Sequence, residues 1–163
     1  MTSLSPRDSV HLRRCVELAE QALDAGDDPF GSVLVGADGM VLAEALNREA
    51  TDDDPTAHPE LELVHWAIAN LTSDERAAST VYTSGEHCPM CAAAHGWAGL
   101  GAIVAAVSSR RLAEWRASWG LPAGPVAVVP VTAIVPGIRV VSGVAPLESE
   151  MRALHLRAQQ RRA

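Results

Sequence analysis

His58-Pro59-Glu60 and Cys88-Pro89-Met90-Cys91 decide how the rest of this 163-residue chain is read. Between them they offer three soft metal ligands and one acid. A catalytic zinc takes three protein ligands from His, Cys or carboxylate and keeps a fourth position for water; His58, Cys88 and Cys91 make three. Glu60 lies two residues beyond His58, where at a helix start its carboxylate can face that water without ligating the metal. Such a group suits general acid and base work. A Cys-x-x-Cys by itself would equally fit a thioredoxin-like redox pair or half of a structural zinc knuckle. A structural zinc needs a fourth protein ligand at knuckle spacing, however, and the third cysteine, Cys15, sits far off on a predicted helix. A redox pair needs neither His58 nor Glu60.

Working outward, Cys88 to Trp97 reads as a helix whose first turn carries both thiols. Residues three apart share a helix face, and the positive end of the helix favours thiolates. The preceding helix is expected to be capped by Thr56, with Pro59 in its first turn, where a missing N–H costs nothing. Its buried stripe is read as Leu61, Val64, Ile68 and Leu71. Upstream, Ser5-Pro6-Arg7-Asp8 signals a helix start, with Leu12, Val16, Ala19 and Leu23 at helical spacing and Gly26 as the stop. Ser32 to Val35 and Val41 to Ala45 form β-prone runs joined through Asp38-Gly39, a two-residue hairpin signal. Thr80 to Ser84, Ala102 to Val107 and Ile138 to Ser142 read as further strands. Arg110 to Trp119 and Leu147 to Gln160 read as helices, with a Pro-rich loop from Leu121 to Pro136 between them. Strands alternating with helices after one hairpin predict a three-layer α/β/α domain around a mixed sheet of about five strands. Residues 1–163 are taken as one domain.

Composition narrows the classes. The chain is 48% hydrophobic but only 4% aromatic, so its core must be built of Ala, Val, Leu and Ile. Three cysteines make no disulfide framework, the N-terminus lacks a signal-peptide run, and no stretch approaches eighteen consecutive apolar residues. A cytoplasmic protein without membrane contact is expected. The net charge is −7 and all 13 basic residues are Arg. An acidic surface repels polyanions, and Asp52-Asp53-Asp54 is expected near the mouth of the site. Arg152, Arg157, Arg161 and Arg162 on the final helix are the one feature that speaks for RNA.

His-x-Glu followed about thirty residues later by Cys-x-x-Cys resembles the signature of zinc-dependent nucleobase deaminases. Phe30-Gly31, the run ending in Asn47, Asp54-Pro55-Thr56-Ala57-His58, Tyr82-Thr83-Ser84 and Trp97-Ala98 resemble landmarks of the branch holding bacterial guanine deaminases and tRNA adenosine deaminases. The likeness spans roughly residues 8 to 108. It implies the cytidine deaminase fold, a Zn2+ cofactor held by His58, Cys88 and Cys91, and Glu60 as proton shuttle. It further implies that Asn47 binds the base, that Phe30 and Trp97 flank its ring, and that backbone groups near Ala57 and Ser84 hold the reacting face. A homodimer through helices beside the site is implied as well. Pro59 replaces a small residue of that pattern and His87 replaces a Pro; the latter can be an inert replacement, a donor to a Cys sulfur or a substrate contact. The leading expectation is a hydrolytic deaminase of a small nucleobase or nucleoside. A tRNA adenosine deaminase is the alternative, and a zinc-stabilised binding module is the third reading, which the intact Glu60 disfavours.

Overall fold

Ser5 opens helix α1 (Pro6–Ala25) by a reciprocal cap. Its hydroxyl oxygen accepts the Asp8 N–H at 3.1 Å, and the Asp8 carboxylate accepts the Ser5 N–H at 2.8 Å, which satisfies two donors the helix itself cannot. The computed structural model describes residues 4–162. Leu12, Val16, Ala19 and Leu23 are buried as their spacing predicts, and α1 ends at Gly26. It then lies so close to strand β1 (Gly31–Val35) that a Cβ on Gly31 would stand 2.4 Å from Leu18 Cβ and 2.6 Å from the Cys15 carbonyl. Only glycine fits there.

β1 pairs antiparallel with β2 (Val41–Leu46). The turn is longer than the two residues expected. The register slips between Leu34 and Val35, Gly36 N–H donates to the Met40 carbonyl at 2.9 Å, and Gly39 takes φ +84. Asp38 accepts the Met40 N–H at 2.9 Å, so it closes the turn with its side chain.

Helix α2 (Pro59–Asn70) and the short α3 (Ser73–Ala77) lead to β3 (Thr80–Gly85), which is antiparallel to β1. Helix α4 (Pro89–Ala98) and β4 (Ala102–Val107) follow, then α5 (Ser109–Ser118), α6 (Val131–Ile134), the three-residue β5 (Val140–Ser142) and α7 (Ala145–Arg162). Among the described residues the sheet runs β2-β1-β3-β4-β5, with β3, β4 and β5 parallel.

Side-chain alternation along the strands builds the layers. Val33, Val35, Tyr82, Val104 and Ala106 face one cluster with α1, α7 and Trp115 of α5. Leu34 and Val81 face the opposite cluster with Leu63, Val64 and Ala67 of α2 and Ala98 of α4. The fold is therefore the expected three-layer α/β/α arrangement around a mixed five-stranded sheet. The stripe of α2 is turned from its expected position: Leu63, Val64 and Ala67 are buried, whereas Ile68 is 55% exposed. Among the described residues no helix is long and apolar enough to cross a membrane.

Candidate active site

His58 and Cys88 occupy equivalent places. Each is the N-cap of its helix, α2 or α4, and each is followed by proline at the first helical position. A residue before proline is driven out of the α region, and His58 (φ −87, ψ 139) and Cys88 (φ −68, ψ 166) are both extended. Thr56 does not cap α2 as expected; its N–H and hydroxyl both bond to Asp54, closing a turn ahead of the helix.

The two caps converge. His58 Nδ1 stands 3.6 Å from Cys88 Sγ and 3.5 Å from Cys91 Sγ, and the three ligand atoms all lie within 4.8 Å of one another. Zinc bonds of about 2.3 Å to sulfur and about 2.0 Å to nitrogen put tetrahedral N and S neighbours about 3.5 Å apart, so the donor set fits that ion. Its electrostatics say the same. The hydrogen bond from Cys91 and the neighbouring His58 pull the Cys88 thiol down to about 4, while Cys88 and burial push Cys91 up. The hydrogen bond to Cys88, with Glu49 next in effect, lifts His58 to about 10. One negative charge is easily held between the sulfurs and a second is opposed, which a cation among them relieves.

Glu60, in the first turn of α2, is buried beside this triad. Burial raises its pKa above the ordinary carboxylate value. Thr83 Oγ1 lies 3.0 Å from Glu60 Oε1 and 2.8 Å from the Gly85 carbonyl, and it accepts the Ser32 hydroxyl at 2.9 Å. A carboxyl that titrates nearer neutrality, with a hydroxyl to steady it, can both take and return a proton.

His58, Glu60 and Cys88 open onto a cavity of about 180 Å³. Asn47 and Phe30 line it, as do Leu112 of α5 and the run Val126–Val129. Three residues expected near the base do not line this cavity of the single chain. Trp97 falls on the outer face of α4 and is 92% exposed, because Cys91, Ala92, His95 and Ala98 turn the other side of that helix inward. Ser84 is fully buried, its hydroxyl accepting the Gly31 N–H at 3.0 Å, so it ties β3 to β1. The Ala57 N–H donates to Asp54 and its carbonyl accepts from Arg48, both at 3.1 Å, so both groups serve the loop. Asp52, Asp53 and Asp54 do not line the cavity; Asp52 pairs with Arg48 at 2.7 Å.

The family model for the cytidine and deoxycytidylate deaminase zinc-binding region matches residues 5–107. The chain belongs to this family. It is 34% identical to a probable cytosine deaminase of Schizosaccharomyces pombe over 68% of this chain and 67% of that one. It is 39% identical to the guanine deaminase of Bacillus subtilis over 63% of this chain and 66% of that one. The solved guanine deaminase from Nitrosomonas europaea superposes with a TM-score of 0.72 at 20% identity, covering 98% of this chain and 87% of that one, a likeness of fold. The chain is thus a deaminase, a hydrolase of C–N bonds, with the zinc ligands of its family.

Within this deaminase, two acids and a hydroxyl join the site that residue types alone do not single out. Glu49 accepts the Asn47 side-chain N–H at 2.6 Å and stands 3.7 Å from His58 Nε2, on the side of the ring away from the sulfurs. Thr83 supports Glu60, and Glu86 lines the cavity beyond Cys88. The signal for Glu49 was local, an acid two residues after Asn47; nothing local marks the others. His87 does not line the cavity. It is fully buried edge-on to His95 at 5.1 Å, neither ring nitrogen meets a hydrogen-bond partner, and burial keeps it neutral. That fits the inert replacement. His95 is structural, its Nε2 2.9 Å from the Gly101 carbonyl.

Proposed function

We propose that this deaminase hydrolyses the exocyclic amine of a small nucleobase or nucleoside, with guanine the first candidate. The observation that carries the reading is Glu60: a buried acid of raised pKa in the same cavity as the His58, Cys88 and Cys91 donor set and the Asn47 amide. A zinc ion held by those three residues supplies Lewis acidity that brings the pKa of a water toward neutrality. Glu60 takes one proton of the attacking water and passes it to the ring nitrogen, then takes the second from the newly added hydroxyl and passes it to the departing amine. One C–O bond forms, one C–N bond breaks, and water is exchanged for ammonia. Asn47 holds the base edge, fixed in turn by Glu49, and Phe30 with the valines of 126–129 encloses the ring. The likeness to the Bacillus subtilis guanine deaminase supports guanine ahead of cytosine.

A tRNA substrate is disfavoured by where the arginines go. Arg157 meets Glu20 at 3.5 Å and Asp24 at 3.7 Å, Arg161 meets Asp24 at 3.8 Å, and Arg162 meets Asp28 at 2.9 Å. Arg152 lies over the Trp119 ring. Arginines committed to Glu20, Asp24, Asp28 and an indole are poor phosphate partners, and RNA affinity grows with each phosphate neutralised. Ammonia release from guanine, cytosine, adenine and their nucleosides, beside inosine formation in tRNA, tests the reading. Guanine or another free base should lead; faster inosine formation in tRNA would overturn it.

We also take the chain, as a single domain, to act as a homodimer in the cytoplasm. The exposed Trp97 on α4 and Ile68 on the adjoining α2 support an interface there, and the free thiols of Cys15, Cys88 and Cys91 suit a reducing compartment.

A further inference from the structure

Glu86 stands between β3 and the thiol pair, and its carboxylate accepts two backbone N–H groups from distant parts of the chain. Oε2 takes the Ser109 N–H at 3.2 Å and Oε1 takes the Val131 N–H at 3.1 Å. Ser109 is the first residue of α5 and Val131 the first of α6. The leading N–H groups of a helix have no partner within it, and their positive end favours an anion. The N-cap of α6 is Pro130, which offers no side-chain cap. Glu86 supplies that cap from outside.

What lies between the two bonds is a wall of the cavity. It comprises α5 with Leu112, then a Pro- and Gly-rich strap whose residues Val126–Val129 line the site. Among the described residues, 122–129 take part in no backbone–backbone hydrogen bond, and 122–128 are exposed. The strap is thus held through its ends: α5 is seated by Trp115 in the main core, Val131 is buried beside Ala92 and Ile103, and the Glu86 carboxylate, two residues from Cys88, is among the described residues the one side chain bonded to the leading N–H of both helices.

We propose that Glu86 is a positioning residue for the substrate: by clamping the leading ends of α5 and α6 with one carboxylate, it sets the width of the cavity and thereby the choice among substrates by size. This rests on the deaminase reading of the same cavity. A residue that merely stabilised the fold would lower the amount of active protein and leave KM alone. A clamp on the wall changes KM and selectivity, because the chemistry at Glu60 and the metal ligands is untouched.

The test uses the zinc-loaded 163-residue chain with Glu86→Gln and Glu86→Ala. Glutamine keeps one acceptor oxygen and alanine none, so the effects should grow in that order. Hydrogen exchange at the Ser109 and Val131 amides, the two that Glu86 holds, should quicken about tenfold or more in Glu86→Ala, with α4 exchanging as in the parent. KM for the best base should rise about tenfold while kcat falls no more than about threefold, and the preference between a free base and its nucleoside should shrink. Unchanged exchange at Ser109 and Val131, or parallel loss of kcat and zinc with KM constant, would overturn the proposal. Should Glu86→Ala not fold, Glu86→Gln decides: parental exchange and KM in that variant sink it. Should the parent protein convert no base or nucleoside, the functional reading fails on its own, and the exchange measurement still judges the clamp.

Discussion

Asn47 and Glu49 hold each other. The Asn47 amide donates to Glu49 Oε2 at 2.6 Å, and its carbonyl oxygen accepts the Glu49 backbone N–H at 3.1 Å. The other Glu49 oxygen faces His58 Nε2, so one acid orients both the side chain we propose for the base and the ring placed for the metal. Partners of this kind fix a ligand ring, and losing one costs about 10–100-fold in metal affinity. Glu49→Ala should therefore weaken zinc in a chelator competition by about that factor and raise KM together with it. A variant with parental zinc affinity would detach Glu49 from His58.

Purified protein should carry about one zinc per chain, and His58→Ala, Cys88→Ala and Cys91→Ala should each lose it, since three ligands are the minimum for a catalytic site. Elemental analysis decides. A full zinc load in the Cys91→Ala protein would remove that thiol from the donor set.

Glu60→Gln should keep fold and zinc while turnover falls about 10²–10⁴-fold, the usual contribution of a positioned acid and base. Thr83→Val, which removes only the supporting hydroxyl, should shift the acid limb of the pH–rate profile and cost far less. Near-normal rates in Glu60→Gln would end its assignment.

Acid should destabilise the protein through its buried imidazoles. Burial lowers the pKa of His155 to about 4. For a base whose folded pKa lies below its unfolded value near 6.5, the unfolded chain binds more protons, so stability is complete above pH 6.5 and is lost as pH falls toward 4. A shift of that size corresponds to about 3 kcal/mol. Urea unfolding at pH 7.5 and 5 should show the loss, and His155→Gln should reduce the difference between the two; an equal difference in both proteins would acquit His155.

Light scattering should give twice the chain mass, and Trp97→Asp should halve it at unchanged zinc content. A concentration-independent monomer in the parent would remove the dimer and leave Trp97 as an isolated exposed indole.

Features set by neighbouring residues were legible in the sequence. The Ser5 cap, the α1 stripe and the converging His58, Cys88 and Cys91 rest on local spacing, and the structure keeps them. The α2 stripe slipped because Leu61, Leu63, Val64, Ala67 and Ile68 allow two apolar faces, and only packing on the sheet selects the one with Leu63. Trp97 was read from likeness, which does not say which side of α4 turns inward. Glu86, Thr83 and the wall at 126–129 depend on contacts between distant segments and leave no periodic trace.

The twin prolines Pro59 and Pro89 bear on how metal enters the protein. They set the extended backbone of His58 and Cys88 by covalent geometry, and α2 and α4 are seated on the sheet by their own apolar contacts. The ligand backbones should thus be in place before any ion arrives, unlike small zinc domains that fold only with the metal. Zinc removal should then be an exchange on a finished scaffold: chelation at neutral pH should silence the enzyme with its far-ultraviolet circular dichroism intact, and Co2+ should refill the site with the absorption of a tetrahedral thiolate complex.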